Sequence, residues 1–324
     1  MKKAVTAGLV LLLATSAFAQ GKFDWISATS DDPDKMLPGV NPSKVTGTVI
    51  SAGSSTVFPV SELIASMFKE DGFAGQITID SIGSGAGFDR FTKTGETDIS
   101  NASVAIKQSQ IDAAKAIGRT PIEFRLGTDA LAVVVSKKNT FAKDMTQAEL
   151  KLAFSTAVYW SDIRPKWPKK EIKRFIPGTD SGTFDYFVEH LYKKDRKPIL
   201  GAKNLQLSED DNVLVRGVSG DQYAIGFFGF AYYQENKAKL NVLAIDSVQA
   251  NAANVDNGTY PLARPIFIYS DAKIMNDKPQ VAAFIAYYLT YVNEALKEVG
   301  YFPAPAAEQK KAKQAWLDAV KGRY

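Results

Sequence analysis

Three times in this chain a β-rich run ends in a small polar cluster and a helix-like run begins. The clusters are "SAGSST" (Ser51–Thr56), "IGSGAG" (Ile82–Gly87) and "TDSGT" (Thr179–Thr183). Strands that alternate with helical runs can bury both faces only in an α/β fold with largely parallel sheets. In such sheets the loops that follow the strands gather at the carboxyl edge. Each cluster therefore sets a helix N-terminus, with its unpaired N–H donors and partial positive charge, beside serine or threonine hydroxyls. A single cluster serves equally well as a plain N-cap. Three of them, each longer than capping requires, point to a small oxyanion removed from water.

The rest of the chain keeps this rhythm. Val60, Leu63, Ile64, Met67 and Phe68 recur at helical spacing after the first cluster. "QITID" is a strand before the second cluster, and "FDRFTKTG" follows it as a helix. "DISNAS" is a short strand with a polar end, "SQIDAAKAIG" a helix, and "EFRLGTDALAVVVS" a strand whose apolar half is buried. Thr146 with Glu149 three residues on has the spacing of a capping box at the head of "TQAELKLAFS". "KRFIPG" is a strand leading to the third cluster. "YAIGFFGFAYYQENKAKL" runs into a strand "NVLAID", "NGTYPLARP" is a turn, "IFIYS" a last strand, and the C-terminal part is helical.

At 324 residues the length suggests two domains. "MKKAVTAGLVLLLATSAFA" has two lysines, a short apolar stretch and a small-x-small ending at Ala17 and Ala19, so residues 1–19 read as a secretory signal peptide cleaved near Ala19. Its apolar stretch is shorter than the ~20 residues of a membrane span. Residues 20–46 are polar and turn-rich and read as an irregular leader. The absence of cysteine removes disulfides, thiol chemistry and lipid attachment through an N-terminal cysteine. Loss of Lys2 and Lys3 with the signal lowers the formal charge from +4 to +2, too little to argue for nucleic acid. Enzymatic motifs fail as well. His190 is the only histidine and lies within a helical run, which leaves a zinc site short of its usual ligands. The loop serines lack the G-x-S-x-G spacing, and Phe88 breaks the dinucleotide fingerprint after "GSGAG".

"AGSSTVFPVSELIASMF", "IDSIGSGAGFDRF", "DISNAS", "PGTDSGTFDYF" and "EDDNVLVRGVSGDQYAIGFFGFAYYQENK" together resemble the substrate-binding protein of the bacterial phosphate ABC transporter, in its cyanobacteria-like branch. The resemblance runs from about Val49 to near Tyr301. It implies a type II-like periplasmic binding protein fold: two α/β lobes joined by two crossover strands, with phosphate held in the cleft. One lobe would comprise 47–130 and 262–324, the other an inserted 131–261, with crossovers near 128–134 and 260–267. It further implies a monomeric, periplasmic or secreted protein that uses no cofactor, metal or catalysis, captures inorganic phosphate and delivers it to an ABC permease. By position, Ser55, Thr56 and the backbone of Val57 match the first phosphate loop, Ser84 the second, and Ser181, Gly182 and Thr183 the third.

Two departures stand out. After "NAS" the family carries a charged residue, where this chain has Val104; and no arginine stands at Pro177 or Gly178. The site so read has hydroxyls, amides and Asp180, but no assigned cation. Asp180 is either an N-cap carboxylate or the acceptor that distinguishes protonated phosphate from sulfate. A binder of another oxyanion, sulfate or a phosphonate, stays open, and a phosphate-ester hydrolase is the remaining alternative.

Overall fold

A computed structural model of the chain describes residues 23–179 and 181–324. The signal peptide and Asp180 lie outside them. After short pairing strands at Ile26–Ser27 and Gly39–Val40, the main elements follow in order. They are β1 (Thr48–Gly53), α1 (Phe58–Glu70), β2 (Gln76–Ser81), α2 (Ser84–Asp89), β3 (Ile99–Ala102), α3 (Gln108–Ala116) and β4 (Ile122–Ser136). Next come α4 (Gln147–Ala153), β5 (Lys173–Pro177), α5 (Gly182–Tyr192), β6 (Leu205–Ser208), α6 (Asp211–Gly220), β7 (Ala224–Gly229), α7 (Phe230–Asn236) and β8 (Leu240–Val242). The chain closes with β9 (Ala263–Ser270), α8 (Pro279–Val299) and α9 (Ala306–Val320).

The chain divides into two compact units. Unit 1 takes the described residues up to Leu126, then Ile266–Ala295 and Pro305–Tyr324; unit 2 takes Gly127–Pro265 and Leu296–Ala304. The chain passes from one to the other within β4 and β9, and again near the end of α8 and after Ala304. The sequence reading put all of 262–324 in the first lobe. The contacts instead assign Leu296–Ala304 to unit 2, because Phe302 and Pro303 pair with Thr128 and Gly127 of β4.

In unit 1, β1 lies parallel to both β2 and β3, and β3 runs antiparallel to the end of β9. The apolar stripe of α1, Val60, Ile64 and Phe68, is fully buried. At about 25 cal/mol per Å², each such side chain contributes roughly 1.5–3 kcal/mol. α2 starts at Ser84, inside the cluster read as a loop, and continues as a wider turn over Arg90–Thr94.

The irregular leader is a correction. Trp25 is fully buried with its ring edge-on to Trp316 of α9, and Leu37 is buried as well. Asp32, fully buried, accepts from the backbone N–H groups of Met36 (2.8 Å) and Leu37 (3.0 Å) and pairs with the ammonium of Lys313. Turn-rich composition described the local backbone of residues 23–46 but not this anchoring, since the partners lie at the far end of the chain.

In unit 2, β7 is parallel to β5 and antiparallel to β4, and β5 is parallel to β6. The core is aromatic: Phe187 of α5 stacks on Phe227 of β7 at 3.8 Å, and Phe154 meets both edge-on. Arg174 of β5 is fully buried without an acidic partner. Its guanidinium donates to the carbonyls of Ala153, Ile172, Lys203 and Ala157, and burial lowers its pKa to about 10. α4 begins with the expected capping box: Thr146 Oγ1 accepts from Glu149 N (3.2 Å) and Glu149 Oε2 accepts from Thr146 N (2.8 Å).

Candidate functional site

Unit 1 brings the loops after β1, β2 and β3 to one edge, as parallel strands require. Gly53 ends β1 at φ +146°, and a Cβ there would meet the Asn101 carbonyl oxygen at 2.0 Å, so only glycine lets the two strand ends close up. Ser54 N–H donates to that same carbonyl (2.9 Å). Its own carbonyl accepts from Val57 N–H (3.2 Å) and Phe58 N–H (3.1 Å), turning the chain into α1. The next loop is tied down in turn, because Ile82 and Gly83 donate their N–H groups to the Gly53 carbonyl at 2.9 and 2.7 Å.

Against this frame the expected ligand residues separate. Thr56 is fully buried and, among the described residues, its hydroxyl has no partner and no side chain caps α1. A buried unpaired hydroxyl costs about 1–3 kcal/mol, a deficit that a bound acceptor would remove. Ser55 is half-buried beside it. The Val57 N–H, expected to face a ligand, is engaged by Ser54. Ser84 Oγ accepts from Ser103 N–H (3.1 Å) and lies 3.3 Å from Ser103 Oγ, joining the second and third loops.

The sequence reading missed Asn101. It is buried, its Oδ1 accepts from Ser51 Oγ (3.2 Å), and its Nδ2 is a buried donor without a partner. "DISNAS" drew notice as a motif, but only the β1–β3 register, which sets Asn101 against Gly53, places that amide at the loop edge. Val104, two residues past the strand, is 52% exposed.

Unit 2 supplies the third cluster. Ser181 is the N-cap of α5, and its Oγ accepts from Thr183 N–H at 3.2 Å. Ser181, Gly182 and Thr183 are half-buried. Gly178 sits in the turn before them; a Cβ there would meet the Glu209 carboxylate at 1.7 Å, so the loops after β5 and β6 are in close contact. Those loops carry an acidic run. Burial, then Asp210 and Glu209, pushes Asp211 up to about 6.

More than one cation packs against α5: Arg196 lies 5.6 Å over the ring of Phe184 and binds Asp185 at 2.6 Å, half exposed, while Arg264 is the more buried. Arg264 donates from Nε to Oδ2 of the fully buried Asp129 (3.1 Å), and its guanidinium lies 3.8 Å over the ring of Tyr186. Burial raises the Asp129 pKa, opposed by Arg264. His190 is an exposed residue of α5, its Nε2 2.8 Å from Gln147 Oε1. Among the described residues no His, Cys, Asp and Glu side chains group as metal ligands, and no helix is long and apolar enough to cross a membrane.

Comparison with known proteins places this geometry in context. Residues 39–291 match the model of the PBP superfamily domain. The chain is 42% identical over 269 residues to protein SphX of Synechococcus elongatus, spanning 80% of this chain and 78% of the relative. It is 32% identical over 283 residues to the phosphate-binding protein PstS of Staphylococcus saprophyticus, spanning 86% of each. A crystal structure described as a possible phosphate-binding protein from Planctomyces limnophilus superposes with a TM-score of 0.79 at 35% identity, covering 86% of this chain and all of the other.

Proposed function

The chain belongs to the PBP superfamily, and from that premise we propose that it captures inorganic phosphate, without catalysis, for delivery to an ABC permease. The observation that carries the reading is the buried, partnerless hydroxyl of Thr56 at the uncapped start of α1. In unit 1 the donors are the hydroxyls of Ser55, Thr56 and Ser84. In unit 2 they are Ser181, the Gly182 amide and Thr183; the N-cap expected of Asp180 is Ser181 instead, which leaves Asp180 the role of proton acceptor. The relative named as a phosphate-binding protein supports the choice of anion.

Neutral hydroxyls and amides suit this task. Each forms a hydrogen bond to an anionic acceptor, worth roughly 1.5–3 kcal/mol, without a second full charge to desolvate. The helix N-termini of α1 and α5 each add about half a positive charge. The mature protein is read as a monomer, exported after cleavage near Ala19. Titration calorimetry of the purified mature chain with phosphate, sulfate and methylphosphonate tests the function. Saturable phosphate binding that excess sulfate does not displace is the expected result; preferential binding of another anion would overturn it.

A further inference from the structure

Arg264 and Asp129 form an ion pair that is only half closed. A carboxylate and a guanidinium pair most strongly through two parallel hydrogen bonds. Here Nε meets Oδ2, while Arg264 Nη2 and Asp129 Oδ1 are both buried and, among the described residues, both without a partner. Asp129 is fully buried and the Arg264 side chain is 11% exposed. Leaving a charged donor and a charged acceptor unpaired in such a place is costly. The guanidinium could meet Glu189 instead, but that carboxylate stays 3.9 Å from Nη1 and is half exposed.

The position of the pair is as informative as its geometry. Arg264 stacks on Tyr186, the fifth residue of α5. Side chains on a helix lean toward its N-terminus, so the Tyr186 ring covers the turn that holds Gly182 and Thr183. The guanidinium on that ring, which also lies 3.9 Å from Glu189, is thus a full positive charge about one turn from the start of α5.

We propose that Arg264 is the cation of the anion site at the start of α5, with Asp129 and Tyr186 as the residues that position it. The inference rests on the phosphate reading above and deepens it. One unpaired donor beside one unpaired acceptor fits a group that both accepts and donates a hydrogen bond. The hydroxyl of a monohydrogen oxyanion, such as hydrogen phosphate, is such a group; sulfate at neutral pH is not.

The test uses the mature chain and calorimetry with inorganic phosphate, with sulfate as competitor. Asp129→Asn keeps an acceptor for Nε but turns the other atom into a donor; sulfate should then compete at least tenfold better than in the wild type. The double variant Asp129→Asn/Arg264→Gln replaces the ion pair with a neutral hydrogen-bonded pair and leaves no buried charge. It should fold, and its phosphate Kd should rise at least tenfold. If the single variant does not fold, the double variant decides alone. A wild-type Kd in the double variant would mean that the open fork holds only water and would overturn the inference. If the wild type itself does not bind phosphate, the functional reading fails first, a result distinct from equal binding by wild type and variant.

Discussion

The ammonium of Lys313 is buried against the carboxylate of Asp32, 281 residues earlier in the chain, with Asp34 at 2.8 Å on its other side. The pair fastens the segment that precedes β1 to α9. Lys313→Met removes the cation and leaves Asp32 charged in a dry setting, with the backbone N–H groups of Asp34, Met36 and Leu37 as its remaining donors. Breaking a buried pair in this way costs about 3–5 kcal/mol. Urea denaturation should show that loss; one below 1 kcal/mol would mean that water reaches Asp32.

In the function proposed above, the hydroxyls of Thr56 and Thr183 bind the anion. Thr56→Val and Thr183→Val keep side-chain shape and should each weaken phosphate binding by about 1–3 kcal/mol. Their effects on stability should differ. Thr56→Val removes a buried unpaired hydroxyl, so the ligand-free protein should be as stable as the wild type or more so. Calorimetry paired with thermal melting checks both; unchanged affinity in either variant would return that residue to a purely structural role.

Glu149 gives the fold a defined acid limit. Hydrogen bonding from Arg164 holds its carboxyl down at about 2, against an ordinary value of 4.5. A lowered folded-state pKa stabilises above the unfolded value, so the contribution is complete above pH 4.5 and is lost as pH falls toward 2. Both side chains are partly exposed, which discounts the pair to about 1–2 kcal/mol. Glu149→Gln should therefore be less stable than the wild type by that amount at pH 7, and the gap should close between pH 4.5 and 2. A gap that persists at pH 2 would trace the loss to packing.

Val104 stands where charge is expected and is exposed, so a longer side chain has room. Val104→Arg should tighten phosphate binding severalfold, and the gain should shrink as salt is raised. Tighter binding would show that the single charge of Arg264 leaves a dianion only partly compensated. Weaker binding would mean that the existing cation, Arg264 in our reading, already balances the ligand.

Much of this organisation was legible in the sequence, for local reasons. The change from period 2 to period 3.6 at each small polar cluster marked β1–α1 and β5–α5, and the Thr146–Glu149 spacing marked the cap of α4. What stayed hidden depends on distant partners. Asp129 and Arg264 lie 135 residues apart, and nothing near either names the other. Trp25 reads as one of two aromatics in a polar leader until Trp316 is beside it. The start of α2 at Ser84 was hidden by its glycines, which disfavour a helix in isolation. Asn101 needed the strand register.

Unit 1 is assembled from both ends of the chain, with nearly all of unit 2 threaded between. A chain that emerges N-terminus first exposes Trp25, Leu37 and Asp32 long before α9 exists to cover them. The first unit therefore cannot complete its core until α9 is released, and the contacts that close it, Trp25 with Trp316 and Asp32 with Lys313, are far apart in sequence. Contacts of that kind form slowly, because the loop they close must be ordered before they stabilise anything. Under the proposed export slow closure would be useful: a chain that has not finished folding can still pass through a narrow translocation channel, and the clasp between Asp32 and Lys313 would form on the far side.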